Sequence, residues 1–314
     1  MLGVTDYDEF GLFHENIAEF DLEVADVGPV ERVETAVSDD DGSTRTVSAL
    51  RWGSNDADLV LLHGGAQNAH TWDTVALALG RPLLSIDLPG HGHSDWRQDG
   101  AYSPMNLADD VAAAVAVHAP HARVVVGMSL GGLTAMELAV RHPALVRSLV
   151  MVDITPGVNA AKTKAITDFV DGPQEFASFD DLLARTKEHN PTRSESSLRR
   201  GILHNAQAQP DGSWQWRYDR GSHARARDAA PATDTAAAPD DTAAALSPLW
   251  DHFASISCPV TLVRGSLSPV VDDDDVAEAR RRQPNLAVHV VDGAGHSVQG
   301  DRPVELAAIL AAFI

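Results

Sequence analysis

The residues best equipped for chemistry stand in Val124-Val125-Val126-Gly127-Met128-Ser129-Leu130-Gly131-Gly132, an apolar run that leads into G-x-S-x-G and then a helical pattern. A serine on such a strand-to-helix turn is held in a strained conformation with its oxygen presented outward, and the flanking glycines let strand and helix approach closely. The Leu130 N–H and the positive helix end then face a reacting oxygen. A serine hydroxyl is a weak nucleophile, so a base must accompany it. Val290-Val291-Asp292-Gly293-Ala294-Gly295-His296 supplies one, a histidine just past an apolar run, where α/β sheets open their ligand crevice. Upstream, Leu59-Val60-Leu61-Leu62-His63-Gly64-Gly65 ends another apolar run in a loop that can offer a second N–H, assigned to Gly65. His63 reads as a structural histidine that braces this loop, not as the base.

Such groups must be held by a sheet. Continuous apolar runs recur at Leu59–Leu62, Leu83–Ile86, Val124–Val126, Leu149–Val152, Val260–Val263 and Val288–Val291. Continuous rather than alternating apolarity means burial on both faces, the mark of a parallel sheet covered by helices. Helical patterns lie between them at Trp72–Leu79, Asn106–His118, Leu130–Arg141, Val276–Gln283 and Pro303–Phe313. The alternation implies a doubly wound, mostly parallel α/β domain, entered through two β-rich runs, Val30–Val37 and Thr44–Trp52.

The expected organisation is an acidic arm over residues 1–29, a core over 30–155 and 247–314, and an insertion over 156–246 that caps the sheet. The insertion carries helical fragments, the aromatic patch Trp214, Trp216 and Tyr218, and an Ala/Asp/Pro/Thr-rich stretch at 228–245 expected to be flexible. Composition excludes several functions. A formal charge of −21, from 45 acidic against 24 basic residues, repels phosphate backbones and anionic lipid surfaces. The single cysteine, Cys258, allows neither an internal disulfide nor a cysteine-rich zinc site. The acidic amino terminus lacks the pattern of a signal peptide, and no stretch approaches the ~18 apolar residues of a membrane helix. These features predict a cytoplasmic protein without nucleic-acid or membrane partners.

Taken together, His63-Gly64-Gly65, Asp87-Leu88-Pro89-Gly90-His91-Gly92-His93-Ser94, Gly127-Met128-Ser129-Leu130-Gly131-Gly132 and Gly293-Ala294-Gly295-His296 resemble the α/β-hydrolase superfamily over nearly the whole chain, from Val30 to Ile314. The resemblance implies a helical cap on the sheet and a nucleophile–histidine–acid triad. In most of that superfamily the acid lies three or four residues past the glycine ending the strand before the last. Here those positions after Gly265 hold Ser268 and Pro269. A branch of small esterases and thioesterases instead carries the acid after the strand that follows the nucleophile helix. Leu149-Val150-Met151-Val152-Asp153 resembles that arrangement and implies Asp153. A carboxylate at a buried strand end also suits the task of fixing the His296 tautomer. The alternative acid is Asp272, first of Asp272–Asp275, a run that reads equally as an acidic helix start.

The expected reaction is hydrolysis of a carboxylic ester or thioester through an acyl-enzyme at Ser129, on a small-molecule acyl substrate and with no cofactor. Members of this superfamily also include C–C hydrolases, perhydrolases and cofactor-free oxygenases, and receptors that retain a triad, so fold alone does not choose. His91-Gly92-His93-Ser94-Asp95 is reminiscent of a metallo-β-lactamase metal motif, but Trp96 stands where the next histidine ligand belongs, and no metal is expected. Met128, Trp72, Leu267, Val298, Trp214 and Trp216 are expected to line an apolar substrate pocket, with Leu130 and Phe169 adjoining. Arg193, Arg199 and Arg200 in the insertion either receive an anionic substrate or form a solvated helix face.

Overall fold

The computed structural model describes residues 7–24, 27–39, 42–221 and 249–314. Its centre is an eight-stranded sheet in the order β1-β2-β4-β3-β5-β6-β10-β11. These strands are β1 (Val30–Ser38), β2 (Thr44–Trp52), β3 (Leu59–Leu62), β4 (Leu83–Ile86), β5 (Val124–Met128), β6 (Leu149–Val152), β10 (Val260–Gly265) and β11 (Ala287–Val291). β1 pairs antiparallel with β2, and β2 with β4; the remaining pairs are parallel. This is the mostly parallel α/β architecture that the apolar runs imply. β3, β4, β5 and β6 are buried at every position, whereas β11 is largely exposed because it closes one edge of the sheet.

The helices that pair with these strands are α2 (Asp73–Leu79), α3 (Pro104–His118), α4 (Leu130–Arg141), α8 (Leu249–Ser255), α9 (Asp273–Arg282), α10 (Val298–Asp301) and α11 (Pro303–Leu310). Trp72 closes a 3-10 turn, so α2 starts one residue later than the periodicity, and capping explains two larger shifts. Ser103 accepts a hydrogen bond from the Asn106 N–H and Pro104 takes the first position, so α3 begins two residues before the apolar pattern does. Asp272 and Asp275 cap one another's backbone reciprocally, which starts α9 at Asp273 rather than Val276.

Between β6 and α8 lie α5 (Ala160–Val170), α6 (Phe179–His189) and α7 (Glu195–Asn205), together with a small antiparallel sheet of β7 (Glu175–Phe176), β8 (Ala206–Ala208) and β9 (Trp214–Trp216). The segment is therefore not purely helical, since strands of two or three residues leave no readable period. It has its own core, in which Trp214, Trp216 and Tyr218 pack with Leu182, Ile202 and Ala206. The stretch at 228–245 lies outside the described residues. In the arm, α1 (Phe13–Glu19) packs its Phe13 ring 4.9 Å from Trp52. Among the described residues no helix is long and apolar enough to cross a membrane.

Candidate active site

Ser129 stands between β5 and α4 with φ 52° and ψ −120°, a left-handed φ that is uncommon outside glycine. The turn closes because Gly127 and Gly131 have no side chains: a Cβ on Gly127 would strike the Gly131 carbonyl, and one on Gly131 the Leu62 and His63 carbonyls. The next strand ends in step with this turn. Met128 pairs with Val152 in register, the Ser129 N–H donates to the Val152 carbonyl at 3.1 Å, and Asp153 follows at once, also at positive φ. Sheet register thus brings the ends of β5 and β6 side by side, although 23 residues separate Ser129 from Asp153 in no local motif.

Asp153 is fully buried and its carboxylate is well supplied with donors. The Gly265 N–H donates to Oδ1 at 3.0 Å, the Ser268 hydroxyl donates to Oδ2, and His296 Nδ1 lies 2.7 Å from the same oxygen. That contact fixes the proton on Nδ1 and leaves Nε2 as the imidazole's base. Ser268 is the residue that sequence reasoning missed. It stands three residues past Gly265 and hydrogen-bonds the Asp153 carboxylate. Asp272 has different work: it caps α9 and, with Asp275, pairs with Lys162. The Lys162 ammonium holds its carboxyl below the ordinary carboxylate range. His296 therefore meets Asp153 and not Asp272. Ser129 Oγ makes no hydrogen bond to His296 among the described contacts, a separation common before substrate is seated.

Opposite Ser129 runs the loop after β3. A Cβ placed on Gly64 would lie 3.3 Å from Ser129 Cβ, so this loop rests against the serine. The Gly64 N–H is already committed to Gln67 Oε1 at 3.1 Å. Neither the Gly65 nor the Leu130 N–H meets an acceptor among the described residues. His63 braces the loop from beneath: its Nδ1 bonds the Gly64 carbonyl at 2.7 Å and its Nε2 accepts the Leu88 N–H at 2.9 Å. Complete burial pulls its pKa down to about 3, so it stays neutral.

The expected pocket residues separate. Trp72, Met128 and Val298 belong to the core on one side of the sheet, with Met128 Sδ beneath Gly64. Leu267 is 65% exposed, and Trp214 is buried against Phe179 at 5.1 Å between ring centres. Only Trp216, with Phe169, lines the cavity between the insertion, α1 and the loop after β3. That cavity reaches Ala66 and Gln67, in the loop whose Gly64 rests against Ser129, and Gln299 and Gly300, three and four residues past His296 in sequence, but its lining includes neither Ser129 nor His296. It is also not the apolar pocket expected, because carboxamides and hydroxyls such as Asn68, Thr186, Asn190 and Asn205 form much of its wall. Long-range packing decides which large apolar residues reach a cavity, and proximity in sequence to a motif does not.

Among the described residues one group could present converging metal ligands: His70, Asp73 and His204, all buried, with ligand atoms within 4.8 Å of one another. His70 is already held between carboxylates, 2.9 Å from Asp73 and 3.0 Å from Glu9, and its ring stacks on His204 at 3.8 Å. Those carboxylates raise the His70 pKa to about 9 against the cost of burial. The His91–Asp95 segment folds around Asp87, which accepts from Arg32 and from the Ala69 and His93 N–H groups.

A family model for the alpha/beta hydrolase fold matches residues 59–303. The esterase Rv0045c of Mycobacterium tuberculosis is 41% identical over 98% of this chain and 96% of its own length, and a solved structure of it superimposes with a TM-score of 0.80, covering 98% and 99% of the two chains. The 2-(acetamidomethylene)succinate hydrolase of Mesorhizobium japonicum is 29% identical over 78% of this chain and 83% of its own. The chain belongs to the α/β-hydrolase family.

Proposed function

We propose that the protein is a serine hydrolase that cleaves a carboxylic ester or thioester of a small acyl substrate through an acyl-enzyme. The observation that carries this reading is the 2.7 Å contact between His296 Nδ1 and a buried Asp153 carboxylate, at the strand end next to Ser129. Ser129 attacks the carbonyl while His296 Nε2 takes its proton; the Gly65 and Leu130 N–H groups receive the oxyanion. His296 then returns the proton to the leaving oxygen or sulfur, and next activates a water that frees the acid. Asp153 holds the productive tautomer and stabilises the imidazolium, assisted by Ser268. No step draws on a cofactor. The esterase name of a relative alike over its full length favours ester chemistry over carbon–carbon cleavage or oxygenation. The setting proposed is the cytoplasm, in keeping with a lone cysteine.

Hydrolysis of p-nitrophenyl butyrate tests the reading. Ser129→Ala should lower kcat by at least about 10⁴-fold with the fold intact by circular dichroism, because the members of a triad act as a unit. Near-normal turnover by that variant would overturn the serine mechanism.

A further inference from the structure

The three arginines of the insertion end in different places. Arg199 pairs with Glu15, and Arg200 with Glu15 and Glu19, so both clasp helix α1 of the arm. Arg193 and Arg200 both line the cavity, but no carboxylate lies within ion-pair distance of Arg193 among the described residues. Its one hydrogen bond runs from Nη2 to Ser197 Oγ at 2.5 Å, and its Nε is buried without an acceptor. Burial is the largest influence on this guanidinium and pulls its pKa down; Asp301 and Glu19 raise it only from a distance, and the like charge of Arg200 lowers it further. Arg193 is half-buried, and a guanidinium partly withdrawn from water without an ion-pair partner is an unfavourable arrangement that an anionic ligand would relieve.

Its location connects it to the reaction. Gly300, four residues past His296, leaves room for the guanidinium: a Cβ there would lie 3.1 Å from Arg193 Cζ. Gln299 Nε2 donates to Gln67 Oε1 at 3.2 Å, the oxygen that accepts the Gly64 N–H beside Ser129. Hydrogen bonds thus link Gln299, Gln67 and Gly64, with Gly64 packed against Ser129 at one end and Gly300 packed against Arg193 at the other. These carboxamides suit a polar ligand better than a long acyl chain.

We infer that the substrate is an ester bearing a carboxylate, which Arg193 receives in this cavity while the ester carbonyl lies at Ser129. The inference rests on the proposed role of Ser129. A guanidinium offers coplanar donors that match two carboxylate oxygens, and Ser197 takes one hydrogen of Nη2, leaving the Nε–H, both Nη1 hydrogens and the second Nη2 hydrogen for a ligand.

Two matched pairs of esters test it: mono-p-nitrophenyl glutarate against p-nitrophenyl valerate, and 4-acetoxybutanoate against butyl acetate. They place the charge on the acyl and the alcohol side respectively. The wild type should prefer the charged member of at least one pair by about tenfold or more in kcat/KM. Arg193→Gln should cut that preference about ten- to a hundredfold, the range for losing a charged hydrogen bond, and Arg193→Lys should restore part of it. No preference in either pair, or a preference that survives Arg193→Gln, overturns the inference. If no ester is turned over at all, the role of Ser129 fails and calorimetry with glutarate still decides the subsite. Glutarate should bind the wild type and Ser129→Ala alike and bind Arg193→Gln at least tenfold more weakly; an equal or absent response overturns the subsite.

Discussion

The strand ends that carry Ser129, Asp153 and His296 and the cavity beside them are built by opposite means. At the strand ends backbone dictates position: two adjacent parallel strands finish in register, glycines permit a tight turn, and a buried carboxylate is surrounded by donors. In the cavity, side chains from the arm, the insertion and the loop after β3 meet from positions up to 284 residues apart, as Asn16 and Gly300 do. The first region is held mainly by backbone pairing and close backbone contacts. The second is assembled by ion pairs and is where a substrate would be told from its neighbours.

Asp153→Asn should lower kcat by about 10⁴-fold, the magnitude seen when an amide favours the wrong imidazole tautomer in a serine protease. Asp272→Asn should leave kcat near the wild-type value, and the loss of charge at the helix start and toward Lys162 should lower stability by no more than about 1 kcal/mol, read by urea unfolding. If the Asp272 variant alone lost kcat, the assignment of the acid would be reversed.

A smaller effect probes the clasp between arm and core. Glu9 and Asp73 raise the His70 pKa to about 9 from 6.5, so the stability His70 contributes is whole below about 6.5 and is lost as pH rises through about 9. Glu9, lowered to about 2 from 4.5 chiefly by its hydrogen bonds to His70 and Arg32 against the opposing cost of burial, contributes above about 4.5 and loses this as pH falls through about 2. The difference in urea midpoint between the wild type and His70→Gln should therefore be greatest between about pH 4.5 and 6.5 and shrink toward pH 10. A difference that grows with alkaline pH would contradict this charge assignment.

The same division governs what could be read in the sequence. β3, β4 and β6 coincide with their apolar runs because both faces of a central strand are buried. Ser129 and His296 lie in local patterns whose geometry follows from glycine spacing. Asp153 needed a resemblance as well as a strand end, since its partnership with His296 depends on sheet register across 143 residues. Ser268 was visible as a gap in the usual pattern, but its hydrogen bond to Asp153 was not. Trp72 and Val298 sit near the motifs in sequence yet point into the core, while Arg193 looked like its neighbours Arg199 and Arg200 and differs from them only in what the arm supplies. Neither distinction has a sequence period.

The most direct test of the account is covalent. A fluorophosphonate ester mimics the tetrahedral intermediate and bonds to an activated serine, and intact-protein mass spectrometry followed by peptide mapping reads where it goes. One adduct per chain is expected, on Ser129, absent from Ser129→Ala and forming far more slowly in Asp153→Asn than in Asp272→Asn. An adduct on another residue, or equal labelling of Ser129→Ala, would contradict it.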